Sequence, residues 1–357
     1  MPNVLVVDDE PSIAWALAQL GKSLGHQVVQ AASAEEGIKA ARITKPDVVM
    51  LDVRLPGMDG LTAMRALREI IGDVPIIIMT AHGDLNTAVE AVRQGAFEYL
   101  VKPFDLKVAE RGLRQALASG SEEASDPEPS AEAKPVGELV GQSPLMQEVF
   151  KRIALVAPSL ACVHLHGESG TGKELVARAI HRYSRRANGP FLAVNLAALS
   201  PALAESELFG HVQGAFTGAD RARDGLLKRA DQGTIFLDEV ADVPPVLQDK
   251  LLRALEEREV TPVGGSRAVR SDFRVISATH RNLRKEVDAG KFREDLLFRL
   301  STFQIDLPPL RERPEDVEEL ANHFLLVLAE KNQCPRPTLS DEALAEMKLR
   351  PWRGNVR

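Results

Sequence analysis

Cysteine is scarce: Cys162 and Cys334 are the only two, and they lie far apart in different surroundings. Two such residues suggest neither a disulfide framework nor a metal cluster, so a reducing, cytoplasmic setting is the expectation, with Cys162 in a core. No apolar stretch reaches membrane-spanning length, so no membrane contact is expected. The N-terminus runs straight into Val4-Leu5-Val6-Val7 without a basic leader, so no signal peptide is expected. Positive charge is not in excess. A net charge of −7 argues against a surface that coats nucleic acid, though it leaves room for a small local DNA-binding module. His164, His166, His181 and His211 lack metal-ligand spacing and read as ordinary strand, helix and loop residues. What is present is an ordinary globular balance, 44% hydrophobic and 27% charged, in 357 residues, enough for two or three domains.

The most informative stretch is Gly167-Glu168-Ser169-Gly170-Thr171-Gly172-Lys173-Glu174. An apolar run at 160–165 before it reads as a buried strand, and residues 175–180 after it have helical spacing. Strand, glycine-rich turn and helix are the context of a phosphate-binding loop. Glycines let successive N–H groups point inward as an anion nest, and the helix N-terminus adds partial positive charge. Lys173 can reach the β- and γ-phosphates of a nucleotide. Glu174 stands where a Ser or Thr hydroxyl usually touches Mg²⁺.

Residues 1–118 alternate short apolar runs, at 4–7, 28–31, 48–51, 76–79 and 99–101, with helical patterns, the last near 106–117. Such βα units predict a doubly wound parallel sheet whose site lies beyond the carboxyl ends of its strands. Those ends carry Asp8-Asp9, Asp52, Thr80-Ala81 and Lys102-Pro103. Converging carboxylates repel unless a cation joins them, and oxygen ligands suggest Mg²⁺. A carboxylate beside Mg²⁺ and a lysine can attack a phosphoryl group to give an aspartyl phosphate.

Asp8-Asp9-Glu10, the run from Asp52 to Gly60, Thr80-Ala81 and Lys102-Pro103-Phe104 together resemble a response-regulator receiver domain over residues 1–118, flavodoxin-like in fold. The resemblance implies Asp52 as phosphoacceptor from a sensor histidine kinase. Asp8 and Asp9 would hold Mg²⁺, with the Arg54 carbonyl as a further ligand. Thr80 and Tyr99 match the family's switch pair, Tyr99 swinging inward behind the Thr80 hydroxyl; a half-buried packing aromatic is the alternative. The Lys102–Pro103 bond is cis in the family, which would aim Lys102 into the site. Residues 119–135 are Pro-containing, acidic and aperiodic, and read as a mobile tether, which favours activation by phosphorylation over relief of repression.

From residue 136 the chain resembles the AAA+ ATPase domain of sigma-54-dependent activators, the NtrC family. Leu139-Val140-Gly141-Gln142-Ser143-Pro144 looks like its opening near the nucleotide base. Thr234-Ile235-Phe236-Leu237-Asp238-Glu239 is an apolar strand that delivers two acids: Asp238 to hold Mg²⁺, Glu239 to orient the attacking water. Glutamate at position 174 is usual in this family, and it leaves more of the metal site to Asp238 and water. The resemblance also implies that Asn195 restrains Glu239, that Thr279 after the strand 273–278 is the sensor I residue, and that Arg357 is the sensor II arginine. Arg293 and Arg299 match the arginine fingers, which a neighbour can receive in trans. By spacing alone they are a solvated helix face.

Gly214-Ala215-Phe216-Thr217-Gly218-Ala219 sets one aromatic and one hydroxyl among small residues, a composition suited to a loop tip that touches a partner. A tight turn with Phe216 tucked inward is the alternative. The hexapeptide is the family's hallmark and implies contact with sigma-54 RNA polymerase, supported by a second loop at 257–265. Leu307-Pro308-Pro309-Leu310 should end the α/β part at about 310. Helical patterns at 315–330 and 341–349 begin a lid over 311–357. The family has proline where this chain has Arg353. The chain stops where the lid's next helix would begin, which reads as a fragment, and no helix-turn-helix follows, so binding to promoter-upstream DNA would need a further C-terminal domain. The whole is expected to be a phosphorylation-gated ATPase using ATP and Mg²⁺, self-associating as a dimer and as a hexameric or heptameric ring. An AAA+ chaperone and a phospho-dependent binding module with an inactive ATPase are the alternatives.

Overall fold

Buried apolar runs alternate with amphipathic helices to build the first unit. Strands β1 (Asn3–Val7), β2 (Gln27–Ala31), β3 (Val48–Asp52), β4 (Ile76–Thr80) and β5 (Glu98–Val101) form a parallel sheet in the order β2-β1-β3-β4-β5. β3 and β4 are buried at every position, as strands covered by helices on both faces should be. The covering helices are α1 (Pro11–Ser23), α2 (Ala34–Thr44), α3 (Gly60–Ile71), α4 (Leu85–Arg93) and α5 (Leu106–Ala118). Ser33, Asp59 and Asp84 start α2, α3 and α4 by accepting the N–H three residues on, each cap worth about 1 kcal/mol. The order reverses between β1 and β3, which opens a crevice at their carboxyl ends. Gly60 begins α3 so close to β3 that a Cβ there would lie 2.0 Å from the Asp52 carbonyl oxygen.

This computed structural model describes residues 1–81, 83–118, 139–217 and 219–357. The tether read at 119–135 and Gly218 lie outside the described residues. The chain divides into two units, Met1–Pro129 and Ser130–Arg357.

The second unit holds a parallel sheet in the order Phe303–Asp306, Val163–His166, Arg274–Thr279, Thr234–Asp238, Phe191–Asn195. Leu237, Leu251, Phe273, Leu296 and Phe209 belong to the core packed against it. The strand before the phosphate loop is shorter and later than the apolar run suggested. The cause is Arg274, whose Nη1 and Nη2 donate to the carbonyls of Ala157 and Val156 at 2.9 and 2.8 Å. Those bonds fix the end of the helix Pro144–Val156, so the chain must turn before it can pair, and Leu160 is left exposed. Cys162 accordingly precedes the strand, half-buried against the core. Thr279 closes its strand instead of following it. The lid helices Asp316–Asn332 and Asp341–Leu349 are anchored by Leu310, Val317 and Leu320 against Val140, Trp352 and Val356. Among the described residues no helix is long and apolar enough to cross a membrane.

Candidate active sites

β1 and β3 run in register, Val7 beside Leu51, so Asp8 and Asp52 leave the sheet at the same edge. Lys102, at the end of β5 and joined to Pro103 by a cis bond, reaches between them. Its Nζ lies 2.6 Å from Asp52 Oδ2, 2.9 Å from Asp8 Oδ2 and 3.2 Å from Glu10 Oε1. All but Glu10 are buried. Burial pushes the Asp8 carboxyl above its ordinary value against the pull of Lys102. Burial alone would lower Lys102, but hydrogen bonds and charge from Asp52 and Asp8 carry it well above the ordinary lysine value, so it stays charged. The Arg54 N–H donates to Asp52 Oδ1 at 3.2 Å. Carboxylate oxygens of Asp8, Glu10 and Asp52 gather within 4.8 Å, a hard-oxygen set that suits Mg²⁺.

Asp9 does not join that set. The chain is extended at Glu10, whose N–H bonds back to Asp8 Oδ1 at 3.0 Å, so side chains 8 and 10 face the site and 9 faces water. Glu10 is the acid the sequence reading quoted but gave no role. Thr80 is buried at the end of β4, and the Tyr99 ring is 7% exposed, inward in this structure. Burial, then the nearby Asp84 charge, raises its phenol.

In the second unit Gly170 and Gly172 adopt φ of +81° and +105°, left-handed values that L side chains resist. The helix Lys173–Arg182 begins at once, and the Lys173 Nζ donates to the carbonyls of Gly167 and Glu168 at 2.8 and 3.2 Å. Burial lowers Lys173 from its ordinary value, opposed by the charges of Glu239 and Asp238. Thr171 Oγ1 donates to the Glu168 carbonyl at 2.9 Å, which closes the turn. Glu174 pairs with Arg178 at 2.6 Å on the surface of the helix. A cavity of about 560 Å³ is lined by residues 169–175, Asn195, Asp238, Glu239 and Arg357, with an apolar end toward Leu139 and Leu320. Burial and the Glu239 charge raise Asp238, and its oxygens beside the phosphate loop fit a Mg²⁺ ligand.

Asn195 was expected to restrain Glu239, but its Nδ2 donates to Asp238 Oδ2 at 3.1 Å. The register explains this: Asn195 pairs directly with Asp238 across the two strands. Glu239 leaves the strand at a left-handed φ of 52° and turns toward the neighbouring strand end. There its Oε2 accepts from Thr279 Oγ1 at 3.2 Å and from His280 Nδ1 at 2.8 Å. His280 was missed, although it directly follows Thr279.

Glu168 is also placed differently from the phosphate-contact role expected of it. Arg311 grips it through two hydrogen bonds of 2.8 and 2.7 Å, and Asn355 Nδ2 adds one of 3.2 Å. Asn355 Nδ2 also donates to the Ser169 carbonyl at 2.9 Å, and the Val356 N–H donates to the Gly170 carbonyl at 3.0 Å. The turn at residues 353–356 is therefore latched onto the phosphate loop. Arg311, then Asn355, holds the Glu168 carboxyl at about 2. A carboxylate depressed in the folded state adds stability that is present above its unfolded pKa of about 4.3 and lost as pH falls toward 2. Lid docking should therefore loosen across that window. Trp352 fluorescence in a Trp15→Phe background should report the loosening, and Arg311→Ala should abolish that part of the profile.

Arg293 pairs with Asp249 and, at 2.7 Å, with Asp295; Arg299 donates to the Leu255 carbonyl at 3.4 Å. Neither lines the cavity of its own chain. In the hexapeptide loop the Gly214 N–H donates to the Ala219 carbonyl at 2.9 Å, closing its base. Phe216 is 46% exposed, its ring edge-on to His211 at 5.0 Å, and Thr217 is exposed. Ala219, expected at the contact surface, is buried as part of the base. The second loop supports the first: Val212 N–H donates to the Val263 carbonyl at 3.1 Å, and Gly264 abuts Ala215.

A receiver-type acceptor site and a phosphate-loop site with a helical lid, on one chain, define a response regulator that carries an AAA+ domain. Comparison with known proteins agrees. Residues 4–113 match the response regulator receiver domain, 139–306 the sigma-54 interaction domain and 311–357 the AAA+ ATPase lid domain. The transcriptional regulatory protein ZraR of Salmonella typhimurium is 45% identical over 355 residues, 99% of this chain and 80% of that one. The DNA-binding transcriptional regulator NtrC of Escherichia coli is 45% identical over 354 residues, 99% and 75% respectively. NtrX from Brucella abortus, solved in complex with ATP, superposes with a TM-score of 0.58 at 35% identity over 99% of this chain and 77% of that one. The chain belongs to the NtrC/ZraR family of phosphorylation-regulated sigma-54 activators. The chaperone and inactive-module alternatives are not favoured.

Proposed function

We propose that this chain hydrolyses ATP between Lys173 and Glu239 and uses the cycle to drive the Phe216–Thr217 tip against sigma-54 RNA polymerase. The receiver spans residues 1–118, the tether 119–135, the ATPase α/β part 136–310 and the lid 311–357. The observation that carries the reading is the single cavity in which Lys173, Asp238, Glu239 and Arg357 meet. Lys173 and the N–H groups of residues 170–173 would bind the phosphates, Asp238 would hold Mg²⁺, and Glu239 would take the proton of the attacking water. Bound Mg²⁺ would neutralise charge on the β- and γ-phosphates. Thr279 would hold Glu239, and Arg357 would tie the lid to the nucleotide. In the receiver an Asp52 oxygen would attack the phosphorus of a sensor kinase's phosphohistidine, the imidazole leaving, with Lys102 balancing the new charge. Asp8, Glu10, Asp52 and the Arg54 carbonyl would hold the receiver's Mg²⁺, with Thr80 and Tyr99 as the switch.

ATPase rate against protein concentration, with and without acetyl phosphate, tests this. A steep dependence that the phosphodonor shifts to lower concentration is the expected result, with the shift lost in Asp52→Asn. A flat, negligible rate would count against it. Arg293 and Arg299 lie outside their own cavity, which fits supply to a neighbour in a ring. Arg293→Ala and Arg299→Ala should each lower turnover about a thousandfold. Mixing either with Lys173→Ala should restore part of it at interfaces that pair an intact finger with an intact loop. An absence of rescue would point to action within one subunit.

A further inference from the structure

The apolar end of the nucleotide cavity contains one buried charge. Leu139, Val140, Met146, Leu320 and Phe324 form its walls, and Arg313 stands among them, with His323 half-buried beside it. The Arg313 side chain is 2% exposed. Its Nη1 is 3.6 Å from Asp316 Oδ2, beyond hydrogen-bond length, and its Nε meets no partner. Asp316 is already committed. Its Oδ1 accepts the N–H groups of Gln142 and Ser143, both at 2.7 Å, and its Oδ2 accepts the Ser143 hydroxyl at 2.7 Å. That carboxylate ties the segment before the helix Pro144–Val156 to the lid. A guanidinium cannot shed its charge at neutral pH and carries five donors in a rigid fork. Held in an apolar wall with only that long ion pair to Asp316, the forked end of the side chain suits a ligand that is apolar on its faces and offers lone pairs at its edge. An adenine base has that character, with unprotonated ring nitrogens at positions 1, 3 and 7.

We propose that Arg313 reads the base of the bound nucleotide, donating a hydrogen bond to an unprotonated purine ring nitrogen and so setting base specificity. The inference rests on the reading that this cavity binds ATP. Guanine shares the acceptors at positions 3 and 7 but carries a proton at position 1. A contact to position 1 would therefore exclude GTP, and a contact to either of the others would admit it.

The test is the affinity of the full chain for ATP and for its 1-deaza, 3-deaza and 7-deaza analogues, each of which replaces one ring nitrogen by C–H. On the wild-type protein one analogue should bind roughly tenfold more weakly than ATP, the loss expected for one charge-assisted hydrogen bond. On Arg313→Met that loss should disappear, while inorganic tripolyphosphate, which has no base, should bind both proteins alike. Three analogues that all match ATP on the wild-type protein would overturn the proposal, whether or not the variant folds. So would an analogue penalty that persists in Arg313→Met, or a variant that loses tripolyphosphate as much as ATP, since Arg313 would then only support the site. Failure of ATP itself to bind the wild-type chain would instead remove the nucleotide-site reading, and this inference with it.

Discussion

Glu239→Gln should leave ATP bound and slow its hydrolysis about a thousandfold, the size of a lost general base. The side chain keeps its shape and its Oε can still accept from Thr279 and His280, so the turn at Glu239 should persist. What the amide cannot do is take a proton from water. The groups placed to hold the nucleotide, Lys173 and Arg357, are untouched, and Lys173 is held by loop carbonyls that do not involve Glu239. One electrostatic change favours tighter binding. Removing the Glu239 charge relieves the repulsion that helps to raise Asp238, so Asp238 should be the better metal ligand in the variant. Phosphate release and ATP competition, measured on the same preparation, separate the two effects. A turnover near wild type would deny Glu239 its role. A fall in affinity that matches the fall in rate would show that the substitution had damaged the site.

The parts of these sites that follow strand ends were legible from the residues alone. Asp8, Asp52, Thr80 and Lys102 are each the last residue of a strand or the first beyond it, and a parallel sheet brings those ends to one edge. The phosphate loop and Asp238 obey the same rule. What was not legible depends on side-chain direction or on distant chain returns. Asp9 turns to water and Glu10 toward Asp8 and Asp52 because an extended step alternates faces. Asn195 meets Asp238 because two strands pair in that register. Glu168, in the middle of a phosphate-loop motif, turns to Arg311 and Asn355, 143 and 187 residues away. Only the folded lid brings those residues back to the loop. Arg313 and Asp316 are hidden for the same reason: both side chains are buried, and nothing within the charged run 311–316 itself marks that.

Phe216→Ala and Thr217→Ala should each spare ATPase and remove transcription activation. Neither side chain lines the nucleotide cavity, and the loop closes through the backbone bond between Gly214 and Ala219, which an alanine at either position leaves in place. Phe216 lies edge-on to His211 and keeps nearly half its surface in water, so its truncation costs the fold little. Turnover should stay within about twofold of wild type, since surface changes of this kind shift stability by only about 0.5 kcal/mol. Its value lies in what it offers a partner: an aromatic anchor on a tip whose neighbours are small. Aromatic anchors that fill a pocket lose about 2 kcal/mol or more on truncation, so transcription from a sigma-54 promoter should fall about thirtyfold or further. The supporting loop predicts where the force enters. Val263 is bonded to both Gly210 and Val212, so movement of the helix Pro245–Glu257 that precedes it would be passed to the tip through backbone. ATPase and sigma-54 transcription measured in parallel decide the matter. Loss of both activities would make Phe216 a structural residue, and retention of both would leave the loop without a partner.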